Sequence, residues 1–324
     1  MTASAGASPE LAIESSGLTK RFRTQTAVDA IDLAVPRGSV FGFLGPNGSG
    51  KTTSIRMLLG LVSPSQGEVR VLGESMPERL RDVLPRVGAL VEGPAFYPFL
   101  SGQANLHRLD TADRHAPRRT RGARIDAALE RVGLTNAATK KAGAYSLGMK
   151  QRLGIANALL SPRDLLVLDE PTNGLDPQGT REVRNLVSSF AAEGTTVFVS
   201  SHLLAEVEQM CTHAAIMSAG RIVAQGSLDD LRGAGESHVR VRTPDAETAE
   251  SVLARFGLLP KREGRTDSHA EVSALLPATT DLDPDRILPA LLEAGVRVRG
   301  YGIEEASLEE RFVALTGEGF DVVS

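Results

Sequence analysis

At residues 45–52 the chain reads Gly45-Pro46-Asn47-Gly48-Ser49-Gly50-Lys51-Thr52, which fits the pattern G-x-x-x-x-G-K-[ST] in full. A short apolar run precedes it, and residues 51–59 have helical character. Glycines let such a loop curl until several backbone N–H groups point at one anion, and the start of the helix adds positive potential. The pattern predicts a phosphate-binding loop, with Lys51 on β- and γ-phosphate oxygens and Thr52 on Mg²⁺. The alternative is a chance glycine-rich turn before a helix.

Two acids end a second apolar run, Leu165-Leu166-Val167-Leu168-Asp169-Glu170. We expect Asp169 to hold Mg²⁺, directly or through water. Glu170 is expected to lie beside the γ-phosphate and to polarise the attacking water. Without the phosphate loop, two solvated acids at a strand end would be the simpler interpretation.

Composition bounds the class of protein. The 324 residues carry a formal net charge of −4, which gives no support for a general nucleic-acid binder. A single cysteine, Cys211, excludes an internal disulfide framework and a cysteine-based zinc site. The sequence shows neither a signal peptide nor an apolar run near the ~18 residues of a membrane span. We therefore expect the chain to stay in the cytoplasm.

Residues 11–35 have a strand-like pattern, and residues 101–143 read as mostly helical. Short apolar runs alternate with helical stretches, which predicts an α/β fold with a parallel sheet covered on both faces. The pattern changes near residue 235. We expect a disordered tail at residues 1–10, a first domain at 11–235 and a small α+β domain at 236–324. The latter has the order β-α-β-β-α-β, a ferredoxin-like arrangement, with its last strand at residues 296–303. Ser307-Leu308-Glu309-Glu310 would open a final helix. It has no recognised catalytic set, so a structural or dimer-stabilising role is expected.

Four elements occur in one order along residues 11–235. After the phosphate loop come Tyr145-Ser146-Leu147-Gly148-Met149, then Asp169-Glu170-Pro171, then Ser200-Ser201-His202. In this combination the chain resembles the ATP-binding cassette of ABC transporters. The resemblance implies a P-loop ATPase with an antiparallel β subdomain and a helical subdomain, which uses ATP and Mg²⁺.

The resemblance also implies a role for particular residues. Ser146 and Gly148 would cap the γ-phosphate held by a second subunit, although the family's usual Leu-Ser-Gly-Gly-Gln is only partly kept here. Asp176, in Asn173-Gly174-Leu175-Asp176, would lie at the seam between two copies. His202 would bond the γ-phosphate, the alternative being a plain surface histidine. Phe22 would stack on adenine, the alternative being a core phenylalanine.

The expected site can be stated in full. The catalytic residues would be Glu170 and His202. The metal contacts would be Thr52, Asp169 and Glu92. Nucleotide contacts would come from Phe22, Gly45, Pro46, Asn47, Gly48, Ser49, Gly50, Lys51, Thr52, Thr53, Ser146, Gly148 and Asp176.

Glu92 stands where the family usually has a glutamine that contacts Mg²⁺ and the permease. Its surroundings, Gly88-Ala89-Leu90-Val91-Glu92-Gly93-Pro94 and Tyr97-Pro98, look like those of bacterial ATPases that serve peptide-antibiotic and drug exporters. The segment at residues 303–312 looks like the tail of such ATPases.

The resemblance implies an ATP hydrolase that powers export of a drug, antibiotic or peptide-like substrate through a separate membrane permease. It would act as a homodimer on the cytoplasmic face of the cell membrane, without nucleic acid. The main alternative is an ABC-type ATPase acting on nucleic acid or ribosomes. Against it, only about 90 residues separate Thr52 from Ser146, too few for the coiled coil of repair types, and the chain has one cassette where ribosomal types have two. A regulatory or assembly protein is a third possibility, which the intact Lys51 and Glu170 disfavour.

Overall fold

The computed structural model describes residues 10–93, 95–113, 116–233, 237–266, 269–276 and 282–304, together with Phe312. The chain divides into two compact units between Leu228 and Asp229. The sequence pattern predicted a boundary after residue 235, and a short helix, α8 (Leu228–Gly233), occupies the stretch before it. Residues 1–9 of the tail expected at 1–10, Pro94 and the expected opening of the final helix lie outside the described residues. Glu10 is described, and it pairs with Arg37.

The described part of the first unit opens with four strands, and helices and further strands follow. The strands are β1 (Leu11–Phe22), β2 (Gln25–Ile31), β3 (Ala34–Pro36), β4 (Val40–Leu44), β5 (Gln66–Val71), β6 (Glu74–Met76), β7 (Val87–Leu90), β8 (Leu165–Asp169), β9 (Thr196–Ser201), β10 (His213–Ser218) and β11 (Arg221–Ser227). The helices before α8 are α1 (Lys51–Leu58), α2 (Leu80–Val83), α3 (Gly102–Ala112), α4 (Arg121–Arg131), α5 (Leu147–Ala158), α6 (Pro177–Ala192) and α7 (Leu204–Met210).

A six-stranded sheet forms the centre of this unit, in the order β11-β10-β4-β9-β8-β7. Its strands pair in parallel from β10 to β7, and β11 pairs antiparallel at one edge. Every residue of β4, β8 and β9 is buried, as expected for strands that are covered on both faces. The predicted parallel sheet is confirmed, and it brings the ends of β4, β9 and β8 side by side.

The two faces of this sheet contribute to different cores because successive side chains of a strand point to opposite sides. On one face Phe41 and Phe43 pack with Phe198 and with the antiparallel strands, with 5.8 Å between the ring centroids of Phe41 and Phe198. On the other face Leu166 and Leu168 pack with residues of α4, α5 and α6. Both faces are therefore sealed, and the loops at the strand ends are left to bear the site.

A second sheet of the first unit is antiparallel, in the order β2-β1-β5-β6, with β3 also pairing with β1. It arises from residues 11–35, where the sequence predicted strands, and from the chain after α1. Residues 101–143, predicted to be mostly helical, form α3, α4 and short 3-10 turns, and Ser101 caps α3 by accepting the Ala104 N–H. The expected antiparallel and helical parts of the first domain are both present.

Cys211 follows α7 and packs beside β4. A Cβ built on Gly42 of β4 would lie 2.7 Å from Val207 Cγ1 and 3.1 Å from Cys211 Sγ, so α7 lies unusually close to the strand. Burial raises the pKa of the Cys211 thiol to about 12. Glycine at position 42 thus permits the contact between β4 and α7.

The second unit has the order strand, helix, two strands, helix, strand. Its described elements are β12 (Ser237–Thr243), α9 (Ala246–Arg255), β13 (Pro260–Thr266), β14 (His269–Leu276), α10 (Ile287–Glu293) and β15 (Gly300–Glu304). The sheet is antiparallel in the order β13-β14-β12-β15, and its core includes Val239, Leu253, Val272 and Leu291. The assignment of this unit to the ferredoxin-like fold stays a prediction.

The last strand is shorter than the sequence pattern predicted. It begins at Gly300, whereas the pattern placed a strand at residues 296–303. Arg297 donates to the Asp245 carboxylate through both its backbone N–H and its guanidinium group, at 2.6–2.9 Å. The Arg297 N–H is thus satisfied outside the sheet.

Among the residues that the structure describes, none of the helices has the length and apolar character needed to cross a membrane.

Candidate functional site

The loop between β4 and α1 depends on glycine at two positions. Gly50 has φ of +108°, and a Cβ there would lie 2.4 Å from the Ala27 carbonyl oxygen. A Cβ on Gly45 would lie 2.4 Å from the Met217 carbonyl oxygen. Any larger residue would push the loop away from its neighbours, so the glycines at the two ends of the motif fix the loop's path.

Lys51 lies inside the curl of this loop. Its Nζ donates to the carbonyl oxygens of Gly45 at 2.6 Å and Pro46 at 3.3 Å, and it lies 3.5 Å from Glu170 Oε1. The side chain is only 6% exposed. Burial lowers the pKa of Lys51, and the carboxylates of Glu170 and Asp169 oppose that shift. The ammonium group is thus held at the centre of the loop.

A hydroxyl group in the loop is buried and has no hydrogen-bond partner among the described residues, Ser49 Oγ. Buried polar atoms are seldom left unpaired, so this donor suits an anion bound in the loop. Thr52 and Thr53 follow in the first turn of α1 and are partly exposed. Asn47 and Gly48 are exposed at the outer side of the loop.

The acidic pair at the end of β8 is held by the neighbouring strand β9. Ser200 Oγ donates to Asp169 Oδ1 at 2.5 Å and accepts the Glu170 N–H at 2.9 Å. Glu170 has φ of +47°, which is uncommon for any residue but glycine. Such a conformation persists only where its surroundings over-determine it, and the Ser200 hydroxyl is one such restraint.

The Glu170 carboxylate joins two further segments. Its Oε2 lies 2.8 Å from His202 Nδ1, and its Oε1 faces Lys51. The structure thus brings Lys51, Glu170 and His202 together from three loops at the carboxyl ends of adjacent parallel strands, the usual position of ligand sites in such sheets. His202 is a hydrogen-bonded member of this group rather than a plain surface residue.

Thr52 and Asp169, two of the three residues expected to hold Mg²⁺, carry oxygen ligands of the kind that this ion prefers. They adjoin in sequence Lys51 and Glu170, whose side chains lie 3.5 Å apart. In the described parts of the chain no group of three or more His, Cys, Asp or Glu side chains could hold a metal. Mg²⁺ commonly uses one or two protein ligands and takes the rest from water and substrate phosphates, which suits this donor set.

Glu92 lies just after β7 with φ of +60° and is 55% exposed. Its carboxylate forms an ion pair with Arg56, which belongs to α1, the helix that follows the phosphate loop. The structure therefore links the loop after β7 to α1 through a charge pair that a glutamine could not form.

Ser146, Gly148 and Asp176 line one open depression, together with Arg152 and Glu182. Ser146 caps α5 by accepting the Met149 N–H at 3.2 Å, and Asp176 caps α6 by accepting the Gly179 N–H at 2.7 Å. Within the described residues, none from the phosphate loop lines this depression. The expected nucleotide contacts at the phosphate loop and those at this depression thus form two separate groups.

Phe22, at the end of β1, is 45% exposed, and Lys20 Nζ lies 5.0 Å from the centre of its ring. The alternative that Phe22 is a core residue is wrong. The contact of its partly exposed ring with adenine stays a prediction.

Sequence reasoning did not assign roles to Ser200, Thr172 or Glu206. Ser200 restrains both acids, and Glu206 accepts hydrogen bonds from Thr172 and Ser201. Their available signals were weak: hydroxyl residues at the end of a buried strand, and a glutamate four residues after His202.

Comparisons with known proteins agree with this geometry. The family model described as ABC transporter matches residues 28–173. The bacitracin transport ATP-binding protein BcrA of Bacillus licheniformis is 38% identical over 95% of this chain and 98% of its own length. The daunorubicin/doxorubicin resistance ATP-binding protein DrrA of Streptomyces peucetius is 36% identical over 97% of this chain and 94% of its own.

A solved structure described as the ATP-binding subunit of an ABC transporter is also similar. It is 28% identical, with a TM-score of 0.60 over 68% of this chain and 92% of that chain. The curated relatives extend across both units, whereas this structural match covers about two thirds of the chain.

Proposed function

The chain belongs to the ATP-binding proteins of ABC transporters, which makes it an ATP hydrolase, and we propose that hydrolysis powers export of a drug or peptide antibiotic through a separate membrane permease. The observation that carries the chemistry is Glu170, whose carboxylate contacts both Lys51 and His202 at the end of β8. The substrate class rests on relatives named for bacitracin transport and daunorubicin resistance.

ATP binding engages the loop at residues 45–52. The loop N–H groups and the Ser49 hydroxyl donate to phosphate oxygens, and Lys51 exchanges its bonds to Gly45 and Pro46 for bonds to the β- and γ-phosphates. Thr52 and Asp169 would hold Mg²⁺, which supplies charge neutralisation at those oxygens when bound. Phe22 offers its exposed ring to adenine.

Hydrolysis requires a base near the γ-phosphate. Glu170 accepts a proton of the attacking water, while His202 Nδ1 fixes one carboxylate oxygen. The other ring nitrogen of His202 would be free to bond the γ-phosphate. Ser200 holds the Glu170 backbone in its strained conformation, so the carboxylate is oriented before the nucleotide arrives.

Two copies of the chain would form the working assembly. Ser146, Gly148 and Asp176 line a depression that lacks the described phosphate-loop residues, which supports their use on the nucleotide of a second copy. The start of α5, with its serine hydroxyl, is suited to an anion presented by that copy.

The permease would hold this protein at the cytoplasmic face of the membrane. Glu92 lies in an exposed loop that is tied to α1, so a permease that moves this loop can act on the helix behind the phosphate loop. Contact of Glu92 with Mg²⁺ would require release of the Arg56 ion pair. The permease, and not this chain, would select the exported compound.

Inside-out membrane vesicles that contain the protein and its permease test the proposal. ATP-dependent uptake of daunorubicin or bacitracin should occur with the wild type and be absent with Glu170→Gln. ATP hydrolysis without uptake of either compound would contradict the export assignment. Stimulation of hydrolysis by RNA or ribosomes, and not by permease vesicles, would favour the alternative of a nucleic-acid-linked ATPase.

A further inference from the structure

A buried carboxylate lies behind the acidic pair. Glu206, in α7, is 8% exposed. Its Oε2 accepts hydrogen bonds from Thr172 Oγ1 at 2.5 Å and from Ser201 Oγ at 3.1 Å, and both donors are also buried. A buried carboxylate is costly unless hydrogen bonds compensate for its lost hydration, so these two contacts must be maintained for the group to stay in place.

The two donors lie beside the two proposed catalytic residues. Thr172 is two residues beyond Glu170, in a turn where the Asn173 N–H donates to Glu170 O and the Leu175 N–H donates to Thr172 O. Ser201 directly precedes His202, and its Oγ also accepts the Leu203 N–H at 3.0 Å. Glu206 therefore joins the turn that follows Glu170 to the end of β9, the strand that His202 follows.

The backbone at Glu170 needs such restraints. Its positive φ is held on one side by the bond from Glu170 N–H to Ser200 Oγ. On the other side the chain continues into the turn that is held by the hydrogen bond from Thr172 to Glu206. Loss of that hydrogen bond would free the turn. The Glu170 carboxylate, which lies 2.8 Å from His202, could then move away from it.

We propose that Glu206 is a positioning residue for ATP hydrolysis. By accepting hydrogen bonds from both Thr172 and Ser201, it holds Glu170 and His202 in a fixed position relative to each other. The inference rests on the proposed function. Glu206 acts through its two hydroxyl partners, and these differ from the residues assigned to nucleotide binding. Its removal should therefore slow the chemical step and spare the affinity for ATP.

Small displacements of a catalytic group are costly, so we expect Glu206→Ala to lower kcat about tenfold or more, with the KM for ATP little changed. Glu206→Gln keeps an acceptor oxygen at the same reach and should retain most of the activity. Thr172→Val removes the hydroxyl donor while it keeps a similar shape, and should lower kcat in the same direction as Glu206→Ala.

The experiment measures kcat and KM for ATP, equilibrium binding of ATP and thermal stability on the purified full-length protein. The variants are Glu206→Ala, Glu206→Gln, Thr172→Val and the double variant Glu206→Ala/Thr172→Val. Val187→Ala is the control, because Val187 is fully buried in α6 and its truncation should lower stability without touching the Glu206 hydrogen bonds.

The inference is supported if kcat falls in Glu206→Ala and Thr172→Val, recovers in Glu206→Gln, falls no further in the double variant and stays near wild type in Val187→Ala. It is overturned if wild type hydrolyses ATP and Glu206→Ala does so at the same kcat, or if Val187→Ala loses kcat equally. Should Glu206→Ala not fold, wild-type kcat in Thr172→Val overturns it. A wild type without ATP hydrolysis refutes the proposed function itself.

Discussion

The Glu170 carboxylate is the central group of the site: it contacts His202 and Lys51, and the Glu170 backbone N–H donates to Ser200 Oγ. Glu170→Gln replaces the proton acceptor with an amide of the same shape. We expect ATP binding to persist and the hydrolysis rate to fall roughly 10²–10⁴-fold, the usual contribution of a general base. Phosphate release and equilibrium nucleotide binding measure the two effects separately.

Lys51→Ala is the matching variant, because it removes the charge assigned to the phosphates and should weaken ATP binding itself. If Glu170→Gln turned over ATP at a near-normal rate, Glu170 would lose its role as the base.

Glu92 gives a second prediction at this scale. Its ion pair with Arg56 is exposed, and exposed pairs contribute only about 0–1 kcal/mol to stability, so Glu92→Ala should fold normally. We expect ATP affinity to remain and permease-stimulated hydrolysis to fall roughly ten- to a hundredfold, the range for loss of a buried polar contact once the permease covers the loop. Glu92→Gln should be mild.

The measurement is the ATPase rate with and without the reconstituted permease. Equal stimulation of wild type and Glu92→Ala would make Glu92 an ordinary loop residue. Arg56→Ala separates the two partners: it breaks the ion pair but leaves the Glu92 carboxylate free to meet the permease.

At the scale of elements, the contact of β4 with α7 bears on the phosphate loop. Gly42→Ala would place a methyl group 2.7 Å from Val207 Cγ1, so the Val207 side chain or α7 must shift away from the strand that leads into the loop. We expect the free energy of unfolding to fall by about 1–3 kcal/mol. Thermal or denaturant unfolding checks this value.

Gly122→Ala is the matched control, since a Cβ at that position in α4 meets no atom within 4 Å. It should be neutral or slightly stabilising, because alanine favours helix more than glycine does. Equal destabilisation by both substitutions would argue against the close approach of α7 to β4.

The same elements show how far the sequence could lead. The fully buried strands β4, β8 and β9 could be predicted because each is a short, largely apolar run of sequence. The phosphate-loop motif also indicated where the site begins. Glu206 gave no comparable signal, because its two partners are remote in sequence and only the sheet order brings them near. The predicted start of β15, at residue 296, was wrong because Arg297 bonds to Asp245, which is distant in sequence. A residue pattern reflects local preferences and does not reveal such a contact.

At the scale of the whole molecule, the two units have separate cores, so the first should fold alone. A chain that ends at Gly233 keeps α8, in which Leu228 and Leu231 are buried. We expect this shortened chain to bind ATP as the full chain does, and to dimerise or couple to the permease less well. Nucleotide titration and light scattering test the two parts. Loss of ATP binding in a folded shortened chain would contradict the independence of the first unit.

The thiol beside β4 has a practical consequence for following motion in this protein. Because burial raises the pKa of Cys211 to about 12, almost no thiolate forms near neutral pH, and maleimide dyes react through the thiolate. We therefore expect the native thiol, which is partly exposed, to react slowly with a maleimide dye. A cysteine introduced at an exposed position, such as Leu259→Cys at a site that is 82% exposed, should react much faster and carry most of the dye.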